Sequence, residues 1–421
     1  MPSAENKDKS PETKSPFPPD GAWFDRALCG MFFHWGPFSV AARGEWVMNR
    51  ELIGPQEYDR NYIEPWKAEH FDADAWMQAA VDLGAEYVVL VTRHHDGFAL
   101  WDSEVNPHNS VRLGPKFDVV AAFAEAARRR GLRIGFYYST ANWIHPDYPG
   151  AHYRDWPEDD AWESDAQRER FQAYCRAELK ELFTRYGSID YLWYDGGFPE
   201  NVRDPSWNEM VRELQPGILI NNRNGPADVT ICEQGIRRET PEGRWEACFT
   251  LNRNWGYHSL DDDYKSPLEL VEMLIQTATG GGNLLLNIGP RGDGSIPEAS
   301  LELARSFGQW IRSHRDLLDG AEPSEFGWNN SALVTVADNS VFLHFSRLPE
   351  GSFCWAETET PLEAVRIWPQ AKPLPFEQNG PRIRIDGLSA SMEAGCVTTI
   401  ELAFRSKPKP RTEQTTFWIP D

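Results

Sequence analysis

The sequence predicts an α/β fold, a (β/α)8-like (TIM) barrel, followed by a C-terminal β-sandwich. Short apolar runs rich in β-branched and aromatic residues recur as far as residue 289. Amphipathic stretches with apolar residues spaced by three and four separate these runs. Beyond about residue 325 only short alternating runs broken by Pro and Gly remain, which is typical of a small all-β domain.

Apolar runs mark the predicted strands of the barrel, and amphipathic stretches mark its predicted helices. The predicted strands are the apolar runs 30–36, 86–97, 133–139, 191–197, 218–223, 247–252 and 283–289. The predicted helices are the amphipathic stretches 72–84, 118–131, 164–187, 266–281 and 297–318. Alternating strands and helices favour a parallel architecture. About seven or eight such units favour a barrel over a doubly wound sheet, and no G-x-G-x-x-G follows the first strand.

These patterns divide the 421 residues into four parts. Residues 1–20 form a polar flexible tail, 21–324 the barrel, 325–408 the sandwich and 409–421 a second tail. The N-terminal stretch lacks the apolar region of a secretory signal, so a cytoplasmic location is expected unless a leader has been removed. No apolar run reaches the length of a membrane-spanning helix.

Composition narrows the class of ligand. Asp and Glu number 64 against 42 Lys and Arg, a net charge of −22, which disfavours nucleic acid and anionic membranes as partners. The 18 Trp are either platforms for flat ligands such as sugars or core residues. The six cysteines are scattered without a C-x-x-C pair or zinc-ligand spacing. We therefore expect structural thiols and neither a metal nor a cofactor.

Polar side chains stand at the ends of the predicted strands. In a β/α barrel the carboxyl ends of the strands form the active site, so these residues predict an enzyme pocket. They are His34-Trp35, His94-His95-Asp96, Tyr137-Tyr138, Asp195, Asn222-Arg223 and Asn287.

The residue types favour glycoside hydrolysis. The sequence has no H-x-H pair and no G-x-S-x-G, and its Gly-rich segment 280–294 lacks the Lys of a P-loop. Metal binding by His94 or His95 stays a minor alternative. Carboxylates with aromatic and hydrogen-bonding neighbours suit sugar cleavage, with Asp195 as nucleophile unless it only caps a helix. We expect Gly196 and Gly197 to leave room for a sugar ring.

Long segments of the chain resemble the α-L-fucosidases of glycoside hydrolase family 29. The similar blocks, in the family's order, are GMFFHWGPFSV, RHHDGFALWDS, YLWYDGG, WEACFTLNRNWGY and GGNLLLNIGPRGDGSIP. The resemblance implies a barrel with a trailing sandwich and a retaining exo-hydrolase that forms a covalent fucosyl-enzyme. Its substrate would be a fucosylated oligosaccharide or glycoconjugate.

The resemblance also implies roles for single residues. Asp195 matches the family nucleophile. The substrate-binding residues would be His34, Glu45, Trp46, His94, His95, Tyr138, Trp193 and Arg223. The acid/base segment, 228–234, has Ile231-Cys232 where many members have Thr-Pro. We choose Glu233 as acid/base, with Glu239, Glu242 and Glu246 as alternatives, the last more suited to a structural role.

Several choices stay open at this point. Phe33, Trp35 and Phe198 are either contacts for the C5 methyl group of fucose or core residues. The acidic loop 145–163 either covers the site or is a solvated surface loop. A glycosidase acting on an α-L-galactoside and a non-catalytic sugar-binding barrel are the alternative functions. The sandwich offers a surface for a homo-oligomer, whereas the fucosyl linkage is not determined by the sequence.

Overall fold

An eight-stranded parallel sheet, nearly closed into a barrel, forms the larger part of the molecule, as the sequence predicts. The computed structural model describes residues 21–149, 161–236, 241–318, 324–326, 331–392 and 397–411. The barrel strands are β1 (Cys29–Phe33), β2 (Tyr87–Arg93), β3 (Arg133–Ser139), β4 (Tyr191–Asp195), β5 (Leu219–Ile220), β6 (Val229–Glu233), β7 (Arg244–Thr250) and β8 (Asn283–Ile288).

The strands pair in the order β5-β4-β3-β2-β1-β8-β7-β6. The two ends of this order meet at a single parallel bridge between Asn221 and Val229. We call the junction between β5 and β6 the seam. By contrast, β6 pairs with β7 through five residues, from Val229 opposite Arg244 to Glu233 opposite Cys248.

Helices cover the outside of most of the barrel. The α-helices of the described chain are α1 (Pro37–Ala41), α2 (Val47–Arg50), α3 (Pro55–Tyr58), α4 (Ala73–Leu83), α5 (Val119–Arg129), α6 (Asp165–Arg185), α7 (Ser206–Leu214), α8 (Pro267–Thr279) and α9 (Glu298–Leu318). The predicted helix starts at Asp118 and Ser266 are confirmed, since both side chains accept N-terminal backbone N–H groups.

In the barrel part, strand β6 and helices α1, α2, α3 and α7 were not predicted. Strand β6 has five residues and helix α7 has nine. Between β5 and β6 the described chain contains only a 3₁₀ turn, Asn222–Asn224, and no α-helix. No helix therefore connects β5 to β6, although α7 packs on their connection, where Asn208 donates to the Pro226 carbonyl and Arg212 to Asp228.

Large side chains fill both faces of the sheet. All residues of β1 and β2 are buried, as expected for parallel strands covered on both sides. Inside the barrel a cluster of mainly aromatic and β-branched side chains fills the centre, whereas the other strand faces pack against the helices. The interior members include Phe32, Tyr87, Val89, Val91, Tyr137, Tyr191 and Trp193.

The C-terminal part is a β-sandwich whose strands lie within the range 325–408. One sheet has the order β13-β12-β16-β10-β9 and the other β11-β15-β14. Its strands are β9 (Leu333–Ala337), β10 (Ser340–Phe345), β11 (Gly351–Trp355), β12 (Leu362–Trp368), β13 (Lys372–Pro373), β14 (Phe376–Asn379), β15 (Arg382–Leu388) and β16 (Thr398–Phe404).

The sandwich packs against the last barrel helix. The Trp368 indole donates to the Ser313 carbonyl of α9 at 3.1 Å. No described helix is long and apolar enough to cross a membrane. The predicted tail 1–20 and residues 412–421 of the second tail lie outside the described residues.

Candidate active site

A cavity of about 130 Å³ opens at the carboxyl ends of the barrel strands, where the sequence predicts a pocket. We call it the active-site cavity. Eight of the lining residues were predicted as site residues: His34, Trp46, His94, His95, Trp193, Asp195, Arg223 and Glu233. Phe32, Tyr137, Gly196, Phe198 and Trp255 complete the wall.

Asp195 ends strand β4 with its carboxylate in this cavity. Oδ2 accepts from the Tyr137 hydroxyl at 2.8 Å, and Oδ1 lies 3.3 Å from a guanidinium nitrogen of Arg223. Burial opposes ionisation of Asp195, but His95, Arg223, the Gly196 N–H and the Tyr137 hydroxyl together lower its pKa. The carboxylate is therefore ionised at neutral pH, as a nucleophile must be.

Arg223 contacts both carboxylates that the sequence analysis predicts to be catalytic. One terminal nitrogen contacts Asp195, and the other donates to Glu233 Oε2 at 2.6 Å. The guanidinium also lies 5.7 Å from the centre of the Trp193 ring. Asp195 on β4 and Glu233 at the end of β6 thus face the same cation across the seam.

Three histidines line the cavity in the neutral form. Burial lowers the pKa of His34 to about 3 and that of His95 to about 4, and it lowers the pKa of His94 well below its usual value. His34 Nδ1 is held by Asn287 Oδ1 at 2.6 Å, and His95 Nδ1 by Ser139 Oγ at 2.6 Å. Neutral imidazoles offer one donor and one acceptor each, which suits sugar hydroxyls.

One of these three histidines has a buried nitrogen without a hydrogen-bond partner in the described structure. His94 is 3% exposed, and its Nδ1 has no hydrogen-bond partner within the described structure. Its ring stacks on Tyr137 with a centroid distance of 5.8 Å and an interplanar angle of 5°. Because a buried polar atom without a partner costs free energy, His94 is suited to receive a hydrogen bond from a ligand.

Trp193 forms the floor of the cavity and rests on a buried carboxyl group. Its ring lies nearly parallel to that of Tyr137, with centroids 5.6 Å apart. Its indole N–H donates to Glu246 Oε1 at 3.0 Å, and the Tyr87 hydroxyl donates to the other oxygen of Glu246. Burial raises the pKa of Glu246 to about 7. Glu246 therefore supports the floor from below, in agreement with its suggested structural role.

The two glycines after Asp195 have backbone conformations that favour glycine. Gly196 and Gly197 have φ of +80° and +89°, in the left-handed region that favours glycine. A Cβ on Gly196 would lie 3.0 Å from Thr140 Oγ1 and 3.1 Å from the Ala141 nitrogen. The glycines therefore let the chain turn against the segment after β3, and since Gly196 also lines the cavity, the expectation that they leave room for a sugar ring stays a prediction.

The placement of Tyr138 corrects the prediction that it binds substrate. Adjacent strand residues face opposite sides of the sheet, and it is Tyr137 that enters the cavity. Tyr138 points away and is fully buried. Its hydroxyl donates to Glu178 Oε2 at 2.7 Å, and the guanidinium of Arg93 lies 4.5 Å from its ring centre. Tyr138 belongs to the packing behind the site.

Glu45 and Trp46 were both predicted to bind substrate, but only one of them lines the cavity. Trp46 lines the cavity and packs edge-to-face on His95 at 5.3 Å. Glu45 is not part of the lining. Its Oε2 accepts the Gly256 N–H at 2.8 Å, and burial raises its pKa. A direct contact of Glu45 with a ligand stays a prediction.

The three candidates for contact with the C5 methyl group of fucose also differ in their position relative to the cavity. Phe33 and Trp35 lie in the core between the barrel and its helices, where both contact Trp76. Phe198, by contrast, is 41% exposed at the mouth of the cavity. Phe32 and Trp255 complete its aromatic wall. Both lie in the similar sequence blocks, but nothing in the sequence distinguishes them from core aromatics.

The alternatives to Glu233 as acid/base are placed elsewhere or are not described. Glu242 is exposed and does not line the cavity. Glu246 lies below the floor, and Glu239 lies outside the described residues. Residues 150–160 of the acidic loop also lie outside them. Of the described part of that loop, Tyr148 donates its hydroxyl to the Phe198 carbonyl at 2.6 Å.

The described histidines and acids around the cavity are not arranged as a metal-binding group. Among the described residues no group of three or more His, Cys, Asp or Glu could hold a metal ion. His94 and His95 are separated in function instead, with one ring stacked on Tyr137 and the other held between Ser139 and Asp195. The arrangement is one of two carboxylates, a shared cation and a wall of aromatic rings and neutral imidazoles.

Comparison with known proteins identifies the family. Residues 3–316 match the family model described as "Alpha-L-fucosidase". The plasma α-L-fucosidase of Rattus norvegicus is 35% identical over 327 residues, covering 69% of this chain and 68% of that protein. The tissue α-L-fucosidase of Homo sapiens is 29% identical over 381 residues, covering 82% and 80%.

Solved structures agree with these matches. The α-L-fucosidase isoenzyme 1 of Paenibacillus thiaminolyticus superposes with a TM-score of 0.81 at 31% identity, covering 92% of this chain and 99% of that one. The α-fucosidase of Thermotoga maritima gives a TM-score of 0.76 at 27% identity, covering 91% and 97%. A pocket of this composition, on this fold and with these relatives, shows that the chain belongs to the α-L-fucosidases of glycoside hydrolase family 29 and is a glycoside hydrolase.

Proposed function

We propose that this enzyme releases terminal α-L-fucosyl residues from oligosaccharides or glycoconjugates by double displacement, with retention of configuration. The observation that carries the proposal is the convergence of Asp195 and Glu233 on Arg223 at one cavity. Two carboxyl groups facing one sugar site are the parts that a retaining glycosidase uses. Residues Asp195, Glu233 and Arg223 lie on different strands or loops, so only the folded barrel brings them together.

In the first step the Asp195 carboxylate attacks the anomeric carbon. The bond from that carbon to the leaving oxygen breaks, and Glu233 gives its proton to that oxygen. Arg223 and the Tyr137 hydroxyl hold the attacking carboxylate in place before the bond forms. Neutral His34 and His94 are suited to bind the hydroxyl groups of the ring.

In the second step water attacks the same carbon of the fucosyl ester. Glu233, now deprotonated, accepts the proton of that water, and the ester bond to Asp195 breaks. Inversion at each step gives net retention. A carboxyl separation of about 5–5.5 Å is expected for such a pair, against about 6.5–9.5 Å for an inverting enzyme.

The substitution Asp195→Gly tests the nucleophile. We expect hydrolysis of 4-nitrophenyl α-L-fucoside to fall by at least roughly 1,000-fold, because no ester can form. The left-handed backbone that begins at the next residue tolerates this change, so the melting temperature should stay close to that of the wild type. Near-normal turnover by a folded variant would remove Asp195 from this role.

The substitution Glu233→Ala tests the acid/base. Loss of the proton donor should cost roughly 100-fold or more for a basic leaving group and much less for 4-nitrophenolate. Azide, which needs no general base, should restore turnover of the activated substrate. Equal losses on both substrates without rescue by azide would transfer the role to another carboxylate. The wild type should also be assayed on a panel of aryl glycosides that includes the α-L-galactoside.

A further inference from the structure

Ser139, the last residue of β3, contacts the ring of His95 beside the active-site cavity. It lies directly opposite Asp195 of β4. Its Oγ is 2.6 Å from His95 Nδ1, and the other ring nitrogen, Nε2, is 3.7 Å from Asp195 Oδ2. Because burial lowers the pKa of His95 to about 4, the ring carries a single N–H at neutral pH. The partner of Nδ1 therefore decides whether Nε2 presents a proton or a lone pair to Asp195.

The neighbours of the Ser139 hydroxyl determine where its own proton goes. The Ala141 N–H donates to Ser139 Oγ at 3.0 Å, so the oxygen already accepts one hydrogen bond. Its proton has two acceptors within reach, His95 Nδ1 at 2.6 Å and the Ala141 carbonyl oxygen at 3.1 Å. That carbonyl oxygen also accepts a bond from Arg93 at 2.9 Å. The shorter distance and the bond from Arg93 both favour donation of the hydroxyl proton to His95.

The charge of Asp195 favours the same arrangement. If Nδ1 of His95 carried the proton, the lone pair of Nε2 would face the Asp195 carboxylate and be repelled by it. With Nδ1 as acceptor, Nε2 carries the proton and turns the positive end of its N–H toward Oδ2. A distance of 3.7 Å is too long for a hydrogen bond, so the attraction is between the N–H dipole and the carboxylate charge.

Packing holds the His95 ring between these two partners. The rings of Trp46 and Trp143 lie 5.3 Å and 5.4 Å from it, measured between centroids. The His95 carbonyl oxygen accepts the Trp143 N–H at 2.8 Å, and the Ser139 carbonyl oxygen accepts a bond from Arg93 at 2.7 Å. Rotation of the imidazole would therefore require the two indoles to move.

We propose that Ser139 is a positioning residue that fixes His95 in the tautomer protonated at Nε2, and that this N–H helps to keep Asp195 ionised for its attack. The inference rests on the proposed role of Asp195 as nucleophile. Ser139 is fully buried and does not line the cavity, so it acts on the reaction through His95. The hydroxyl selects the tautomer, and the tautomer sets the sign of the dipole that faces the carboxylate.

Other ionisable groups contribute to the electrostatics around this pair. Those that interact with Asp195, besides His95, are Arg223, Tyr137, His34 and Cys248, with Glu233 beyond Arg223. Those that interact with His95, besides Asp195, are Arg93, Arg223, His94 and His34. The substitution Ser139→Ala keeps all of these side chains. A change in the pH profile of that variant therefore reports the position of the His95 proton.

The first test determines the tautomer in the enzyme without substrate. Isotope-labelled histidine and NMR correlation of the ring C–H protons with the ring nitrogens distinguish a protonated from a bare nitrogen. The signals of His95 are assigned by their loss in His95→Phe. At neutral pH we expect Nε2 to be protonated and Nδ1 to be bare in the wild type, and Ser139→Ala to populate the other tautomer as well. A proton on Nδ1 in the wild type, or the same single tautomer in both proteins, would overturn the proposal.

The second test measures the effect on Asp195 by kinetics. Without the directed N–H the pKa of Asp195 rises, so the carboxylate is lost at a higher pH. In Ser139→Ala we expect the acidic limb of kcat/KM for 4-nitrophenyl α-L-fucoside to move upward by roughly half a pH unit. We expect kcat at the optimum to fall roughly tenfold, with KM changed less than about twofold. A purely structural role would lower the melting temperature and leave the limb in place.

The matched control removes a hydroxyl from another buried histidine. Thr335 Oγ1 lies 2.9 Å from His344 Nε2 in the sandwich, and Thr335→Val should lower the melting temperature without moving the limb. An unmoved limb in folded Ser139→Ala, or an equal movement in Thr335→Val, would overturn the proposal. If Ser139→Ala does not fold, the NMR experiment on the wild type decides alone. Failure of the proposed function looks different, because the wild type would then hydrolyse no fucoside whatever the tautomer of His95.

Discussion

Arg223 is the residue on which the electrostatics of the site depend. Burial alone would favour the neutral form of Asp195, and of the two groups that oppose this most, His95 is itself neutral at neutral pH because burial lowers its pKa to about 4. The guanidinium, fixed by two carboxylates, is then the cation that keeps Asp195 ionised. The same guanidinium donates to Glu233 Oε2 at 2.6 Å.

Replacing Arg223 by Met should shift the acidic limb of the pH profile. Without the cation the pKa of Asp195 rises, so the carboxylate is lost at a higher pH and the limb of kcat/KM moves upward. We expect kcat to fall at least roughly tenfold as well. Arg223→Lys keeps the charge but cannot contact both carboxylates, and it should preserve the limb better than Met. An unchanged limb in Arg223→Met would contradict this account.

The neighbouring tyrosines of β3 should respond differently to the same deletion of one hydroxyl. Tyr137→Phe removes the donor on Asp195, so kcat should fall with little change in melting temperature. Tyr138→Phe leaves Glu178 with one donor fewer beside Arg93, which should cost about 1–3 kcal/mol of stability and little activity. Thermal unfolding and steady-state kinetics on both variants separate the two roles. Loss of activity in the folded Tyr138→Phe variant would restore Tyr138 as a substrate-binding residue.

The orientation of these two tyrosines could not be predicted from the sequence. Acids, histidines and aromatics at strand ends predicted the region of the barrel in which the cavity lies. In a Tyr-Tyr pair, however, the sequence alone does not determine which ring faces inward. The register does so: Tyr137 lies opposite Trp193 and Ser139 opposite Asp195 on the neighbouring strand.

At the scale of elements, the turn after β4 fixes the direction of the nucleophile. The Thr140 N–H donates to the Asp195 carbonyl at 2.8 Å, and the Gly197 N–H donates to Thr140 Oγ1 at 2.6 Å. From the other side Arg93 donates to the carbonyl oxygens of Ser139 and Ala141. The ends of β3 and β4 are thus one hydrogen-bonded unit.

Gly196→Ala should therefore be more damaging than an ordinary glycine substitution. Gly131, after α5, has φ of +69°, but a Cβ on it would meet no atom within 4 Å. Gly131→Ala therefore carries only the backbone cost of about 1–2 kcal/mol. Gly196→Ala adds contact with Thr140 and Ala141 and should lose more stability and most of its activity. Unfolding in denaturant gives the comparison. Equal losses in the two variants, with activity retained, would contradict the packing argument.

Elements with a strong pattern were predicted, and weak ones were not. Strand β3 has the predicted bounds, 133–139, and helix α4 differs from 72–84 by one residue at each end. Strand β6 was missed because Val-Thr-Ile-Cys-Glu is short and partly polar, and it becomes a strand through its pairing with β7. Helix α7 is short, so its pattern extends over few turns.

For the whole molecule, the order of strands and helices predicted the barrel, and the change of pattern near residue 325 predicted the sandwich. Buried histidines connect the two parts. His344 of β10 lies between Thr335 and Thr399, and its ring centroid is 6.2 Å from that of Trp310 on α9. Burial lowers the pKa of His344 to about 3, and nearby His314 contributes a smaller part of this lowering.

The lowered pKa of His344 predicts that the folded protein loses stability in acid. Its folded pKa is below the unfolded value of about 6.5, so stability is complete above that pH and is lost as pH falls. Between pH 7 and 5 the loss from His344 alone is about 2 kcal/mol. His344→Gln keeps hydrogen-bonding groups and should flatten the decline in melting temperature over this range, whereas exposed His70→Gln should not. Parallel slopes in wild type and His344→Gln would contradict the prediction.

The seam has a consequence for how the reaction geometry is maintained. Asp195 belongs to β4, which is paired in long register with β3, and Glu233 belongs to β6, which is paired in long register with β7. Between them stand only two-residue β5 and one backbone bridge. The distance between the two carboxylates is thus governed by the least bonded junction of the barrel. A change in the separation of β5 and β6 would therefore alter the spacing between the two carboxylates, on which the stereochemistry of the reaction depends.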